Sequence, residues 1–347
     1  MAQASHKYLI IGPSWVGDMV MAQSLFRCLK QEQPQCEIVV MAPDWTRPLL
    51  DRMPEVAASL PAELDHGELK LGIRRKIGRE LRNHGFTHAI VLPNSFKSAL
   101  IPFHARIPMR TGWRGEWRLP LLNDCRKLNA DAFPKMVQRF AALAYPEAPE
   151  PPQQVPPPKL AVDSENVVKA MARHNLQLGS KVLAVCAGAE FGAAKQWPAE
   201  HYATTVNELI GEGWQAWFFG SANDKLTTES ILADIDAQNL AQCSDLTGAT
   251  SLAEAIDLMS CADTVISNDS GLMHVAAALQ KPVVALYGST SADFTPPLSE
   301  RVELLFTDIE CRPCFKRECP YGHLKCLTEL KPSRAINAVR QIEHGVT

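Results

Sequence analysis
No apolar run in this chain approaches the roughly 20 residues a membrane-spanning helix needs. A secretory leader core is missing as well: after Met1–Lys7 the first apolar run stops at Gly12. These absences make a cytoplasmic protein the expectation, with contact at a membrane surface left open. The net charge is only −3, so no global attraction draws nucleic acid, and none is expected as a partner. Three catalytic signatures are also absent. The glycine turn Gly12-Pro13-Ser14-Trp15-Val16-Gly17-Asp18 carries no Lys-Ser/Thr pair after its second glycine, which excludes a phosphate-cradling P-loop. It lacks the third glycine of a dinucleotide fingerprint. Without a Gly-x-Ser-x-Gly elbow, Ser14 is a poor hydrolase nucleophile.

What the chain does have is apolar material for two cores. Of its 347 residues, 46% are hydrophobic, which suits two domains. Seven prolines between Pro146 and Pro158 form a stiff, extended boundary. The expected division is a domain over residues 1–150, a linker over 151–159 and a second domain over 160–347, whose last helix can pack back on the first. Short apolar runs at Tyr8–Ile11, Cys36–Met41 and His88–Leu92 read as strands. So do Val182–Cys186, Gln215–Phe219, Thr264–Ser267 and Val283–Tyr287. Helix-like segments alternate with them, and Ser251 with Glu254 has the capping-box spacing. The fold class is therefore α/β, with two doubly wound parallel sheets of Rossmann type. Ligands of such sheets sit beyond the carboxyl ends of strands, so a ligand cleft is expected along the loops after Ile11, Cys186, Phe219, Ser267 and Tyr287.

Three of those loops carry chemistry. Asp18 follows the first glycine turn where a P-loop would have its cation. A carboxylate repels phosphate but can take a proton from a hydroxyl, which points to group transfer onto an alcohol. The segment Ser267-Asn268-Asp269-Ser270-Gly271-Leu272-Met273-His274 opens a helix. The amides of Ser270, Gly271 and Leu272 suit a phosphate there, and Asp269 suits sugar hydroxyls. His274 reads as a hydrogen-bonded core histidine. The small-residue loop from Gly188 to Pro198 holds Lys195, a cation placed to offset diphosphate charge. Together these fit a sugar-nucleotide diphosphate.

Two further features stand apart. Between Lys70 and Lys127, thirteen Lys and Arg face three acids, a net +10 that leaves −13 for the rest and points to an anionic partner. Lys97, Arg110 and Arg114 lie in loops of that segment and are the candidates for its recognition, ahead of the helix carrying Arg74 to Arg82. Late in the chain, Cys311, Cys314, Cys319 and Cys326 surround His323. Four cysteines suggest a structural zinc site. The spacing lacks a second Cys-x2-Cys, so free thiols or a redox-labile pair stand equally. Asp234-Ile235-Asp236 reads as solvent-facing charge, and no divalent ion is expected in the chemistry.

Four blocks, GPSWVGDMVMAQSL, LPNSFKSALIPFHARIPMRTGWRGEWR, AGAEFGAAKQWP and SNDSGLMHVAAAL, closely resemble the ADP-heptose:lipopolysaccharide heptosyltransferases of glycosyltransferase family 9, and best those that add the second heptose. The likeness runs from about Lys7 to Pro297. It implies a GT-B fold, with acceptor bound by the first domain and nucleotide sugar by the second. It implies inversion at the anomeric carbon, ADP-heptose as donor and no required cofactor or metal. The acceptor it implies is an anionic inner core of heptosyl-Kdo-lipid A. The family's catalytic aspartate matches Asp18, its diphosphate lysine matches Lys195, and its donor-site aspartate matches Asp269. Where some members carry hydroxyl residues, this chain has Glu190 and Phe191, so Glu190 becomes the donor-side candidate. Transfer to a different heptose, a sugar-nucleotide epimerase on the same fold, and a non-enzymatic binding protein are the alternatives.

Overall fold
The computed structural model describes residues 6–62, 69–146 and 150–345. The chain divides into two compact units, Met1–Pro158 and Lys159–Thr347. Residues 147–149 of the expected proline-rich boundary lie outside the described residues.

The first unit is a six-stranded sheet of β1 (Lys7–Ile11), β2 (Glu37–Ala42), β3 (Ala58–Pro61), β4 (His88–Val91), β5 (Met109–Trp113) and β6 (Asp124–Arg126). The second has β7 (Lys181–Cys186), β8 (Trp214–Phe218), β9 (Cys243–Asp245), β10 (Thr264–Asn268), β11 (Val283–Leu286) and β12 (Val302–Leu305). Every pairing is parallel. The first sheet runs β3-β2-β1-β4-β5-β6 and the second β12-β11-β10-β7-β8-β9. Counted from its own first strand, each sheet has the order 3-2-1-4-5-6 of a doubly wound dinucleotide-type fold.

That order decides where ligands go. Strand order reverses between β1 and β4 in the first unit and between β7 and β10 in the second. The crevice at such a switch point lies beyond the carboxyl ends of those strands. The central strands earn their place by being apolar on both faces: β10 is buried throughout and β1 from Tyr8 to Ile11. In the second unit Leu183, Val185, Phe218, Ile266 and Val284 join Trp197 and Tyr202 in one core. The last helix, Pro332–His344, packs in this unit against the helix Ala199–Gly211. Ser251 and Glu254 do form the capping box.

Candidate active site
The first switch point is built around Gly12. Its amide donates to the Met41 carbonyl at 2.9 Å, and a β-carbon on it would sit 2.6 Å from Met19 Cε. A side chain here would have to displace the flexible Met19 methyl and crowd the Met41 carbonyl at 3.2 Å, so the close approach favours glycine. That helix, Val16–Glu32, starts from Trp15 in extended backbone and carries Asp18 in its first turn. Acid there is favoured by the helix dipole. Gly17 and Met19 on either side are buried while Asp18 keeps partial exposure. Lys97 lies in the short 3-10 turn Phe96–Ala99 after β4, on the other side of the same switch point.

The second switch point gathers the donor-side candidates. Lys195 Nζ lies 2.6 Å from Asp269 Oδ2 and 3.2 Å from the Asp269 carbonyl. Thr290 Oγ1 donates to the same Oδ2 at 2.6 Å. Asp269 is 4% exposed and the Lys195 side chain 13%, so this is an ion pair withdrawn from bulk water. The ring of Phe191 lies under Lys195, 4.8 Å from Nζ, and under Arg317 at 5.4 Å. Asp269 thus holds the lysine, where sequence reasoning placed it against sugar hydroxyls. Ser270 caps the helix Gly271–Ala278 and accepts from the Met273 amide at 3.4 Å. Helix geometry leaves the first-turn amides of Gly271 and Leu272 without an intrahelical acceptor, and both residues are partly exposed.

Asn268 was passed over in the sequence and ties this site together. Fully buried, it accepts from the Trp197 amide at 3.2 Å and the Tyr202 hydroxyl at 3.0 Å, and donates to the Ala187 carbonyl at 2.7 Å. It fastens the end of β10 to both ends of the Lys195 loop. A buried Asn directly after a β-branched apolar strand was the available signal. His274 is buried, as expected, and burial depresses its pKa to about 4, so it is neutral at physiological pH. Among the described residues no hydrogen bond of its ring is found. Glu190 is exposed in the loop after β7.

The basic segment is sorted by the structure. Arg110 donates to the Leu121 carbonyl at 2.8 Å and the Ile107 carbonyl at 2.6 Å, and burial lowers its pKa. It is a loop clamp, because a guanidinium satisfies several carbonyls at once. Arg118, 1% exposed, does the same for the loops after β4 and β5, donating to Pro93 O at 2.5 Å, Asn94 Oδ1 at 3.0 Å and the Trp113 carbonyl. Arg114 is exposed directly after β5, and Lys97 is partly exposed.

The four late cysteines gather at one place. Cys311, Cys314, Cys319 and Cys326 line one cavity of about 20 Å³ with His323. Backbone amides, that of Leu324 foremost, hold the Cys319 thiol below its usual pKa. Among the described residues, however, no three His, Cys, Asp or Glu groups are arranged to hold an ion, and all four thiols are free.

The model for glycosyltransferase family 9 (heptosyltransferase) matches residues 74–325. The chain belongs to this family. Among its relatives, lipopolysaccharide heptosyltransferase 2 of Salmonella typhimurium is 47% identical, over 98% of this chain and 100% of that protein. Lipooligosaccharide heptosyltransferase 2 of Haemophilus ducreyi is 44% identical, over 97% and 99%. The solved structure of E. coli ADP-heptose lps heptosyltransferase II superposes with a TM-score of 0.89 at 44% identity, covering 98% of this chain and 99% of that one. The two-sheet architecture of this family 9 member is that of its solved relatives. No described helix is long and apolar enough to cross a membrane.

Proposed function
We propose that this chain is an inverting glycosyltransferase. It moves L-glycero-D-manno-heptose from ADP-heptose onto the first heptose of the lipopolysaccharide inner core, working on heptosyl-Kdo-lipid A from the cytoplasmic side. Asp18 accepts the proton of the acceptor hydroxyl. The oxygen bonds to the anomeric carbon from the face opposite ADP, as the bond from that carbon to the diphosphate oxygen breaks. The proton ends on Asp18 and the electron pair on ADP. Lys195 and the amides at Ser270, Gly271 and Leu272 take up the diphosphate charge, so the protein itself supplies the electrostatic stabilisation. Asp269 positions Lys195, Glu190 borders the donor sugar, and Lys97 and Arg114 face the acceptor's carboxylates and phosphates.

The observation that carries this reading is Lys195 at the second switch point, largely buried beside the start of the helix Gly271–Ala278. A cation and two amides beyond the carboxyl ends of these strands support the reading of a diphosphate site. The choice of the second heptose rests on the near full-length likeness to relatives named heptosyltransferase 2. The test is ADP release measured with ADP-heptose, with and without purified inner-core acceptor. Release should require the acceptor, and Asp18→Asn should slow it by about 10²–10⁴, the usual worth of a general base, while ADP affinity holds. Release at full rate without acceptor would instead favour an epimerase, and a near wild-type Asp18→Asn enzyme would remove the base assignment.

A further inference from the structure
The sequence reading ranked the helix carrying Arg74 to Arg82 behind the loop cations as a place for an anionic partner. The structure makes the helix Leu71–Glu80 one wall of a cavity of about 490 Å³ lined by Leu71, Gly72, Arg75, Arg79, Arg82, His104 and Arg106. Gly78 lets this helix lie on Leu100–His104: a β-carbon there would sit 2.6 Å from His104 Cβ and 2.7 Å from the Ile101 carbonyl. Arg106 reaches the cavity from a left-handed backbone, φ 57°, an uncommon conformation for a side chain of this size. Among the described residues, Arg75, Arg79 and Arg106 meet no carboxylate, and Arg82 donates only to the His104 carbonyl at 3.0 Å. The nearby Glu80 pairs with Lys76 instead. Desolvation, then Arg106, Arg79 and Arg75, lowers the pKa of Arg82, and desolvation, then Arg75, Arg79 and Arg82, lowers that of His104. Four guanidinium groups converging with no carboxylate against them among the described residues repel one another, and a multivalent anion relieves that repulsion.

A second observation selects the kind of anion. Leu69, Leu71, Ile73 and Phe103 are 47%, 51%, 40% and 39% exposed. A soluble sugar phosphate has no use for such a fringe. Basic side chains interleaved with exposed aliphatic and aromatic ones on a short amphipathic helix are the chemistry of a surface lying at the headgroup boundary of an anionic bilayer.

We propose that this face of the first unit docks on an anionic phospholipid surface, with Arg75, Arg79, Arg82 and Arg106 holding lipid phosphates and Leu71, Ile73 and Phe103 entering the acyl boundary. The inference rests on the reading above, in which the acceptor is itself a lipid held in a membrane. The test is cosedimentation of the full chain with phosphatidylcholine vesicles, with and without phosphatidylglycerol, at low and high salt. Partitioning should require phosphatidylglycerol and fall as salt rises. Arg75→Gln with Arg79→Gln should cut it on the order of 30-fold at low salt, and Leu71→Ser with Ile73→Ser should abolish the fraction that survives high salt. Both double variants should transfer heptose to a delipidated, soluble acceptor at the wild-type rate. Equal binding to pure phosphatidylcholine overturns the proposal, as does unchanged partitioning of the arginine variant. So does an arginine variant that fails on soluble acceptor while still binding vesicles, which would make the pocket an acceptor subsite. A wild-type chain that partitions as described but transfers no heptose leaves the docking surface standing and overturns the functional reading alone.

Discussion

Asp269 shows how much one buried side chain can organise. Its Oδ2 takes hydrogen bonds from Lys195 and Thr290 at 2.6 Å each in a nearly dry setting. Removing the charge of one member of such a pair leaves the other unbalanced, at a cost of about 3–5 kcal/mol. Asp269→Asn keeps the shape and removes the charge. It should lower the melting temperature of the free protein and, because Lys195 then has no carboxylate partner and a diphosphate bound as proposed would supply its counter-charge, show a larger upward shift with saturating ADP than the wild type does. Equal ADP-induced shifts in the two proteins would place Lys195 outside the diphosphate site. Lys195, Asp269 and Asp18 could be proposed from the sequence because each belongs to a loop or helix start that follows an apolar strand, where backbone geometry leaves few roles for a charge. The part Arg110 plays could not. Arg110 lies in β5 and not in the expected loop; where glycine and proline break the pattern, an arginine facing carbonyls and one facing solvent read alike, and only the fold reveals that Leu121 and Ile107 hold it.

At the scale of elements, the close approach of two helices shapes the first unit. With the Gly78 β-carbon position 2.6 Å from His104 Cβ and 2.7 Å from a carbonyl oxygen, no flexible side-chain end is available to yield. Gly78→Val therefore has to pry the helix Leu71–Glu80 off Leu100–His104. Overpacking of this kind costs roughly 1–3 kcal/mol, and the thermal midpoint should fall by several degrees. Gly72→Ala serves as the control: its β-carbon would meet nothing within 4 Å, and it should melt at or above the wild-type temperature. Equal melting of the two variants would show that the helix pair is looser than described. The strands that escaped sequence reading have a common cause. β3, β6, β9 and β12 are short and flank the sheets, with mostly partial burial, so they lack the continuous apolar run that betrays a central strand. β5 is interior, yet Arg110 and Gly112 interrupt its pattern.

Over the whole molecule, the same six-strand order occurs twice, and the two switch points carry opposite chemistry. One presents a carboxylate, Asp18, and the other a lysine with a helix start. A repeated fold with divergent loops is how one chain can bind two different substrates, since the sheets fix where a ligand lies and the loops fix what it is. Both sheets were legible because their central strands are apolar on both faces. The assignment of an anionic acceptor to one unit and a diphosphate donor to the other was not a matter of pattern, and kinetics can divide it. Arg114, exposed after β5, and Lys195 belong to different units. Losing uniform binding to one substrate raises the KM for that substrate alone. Arg114→Gln should therefore raise the acceptor KM several-fold with the donor KM unchanged. Lys195→Ala should raise the donor KM and, because the lysine also meets charge that grows as ADP departs, lower kcat by about 10²-fold or more, with the acceptor KM unchanged. Steady-state rates with each substrate varied in turn give all four constants. If Arg114→Gln raises both KM values together, or Lys195→Ala moves the acceptor KM as much as the donor KM, the division of labour between the two units is wrong, even if heptose transfer itself is confirmed.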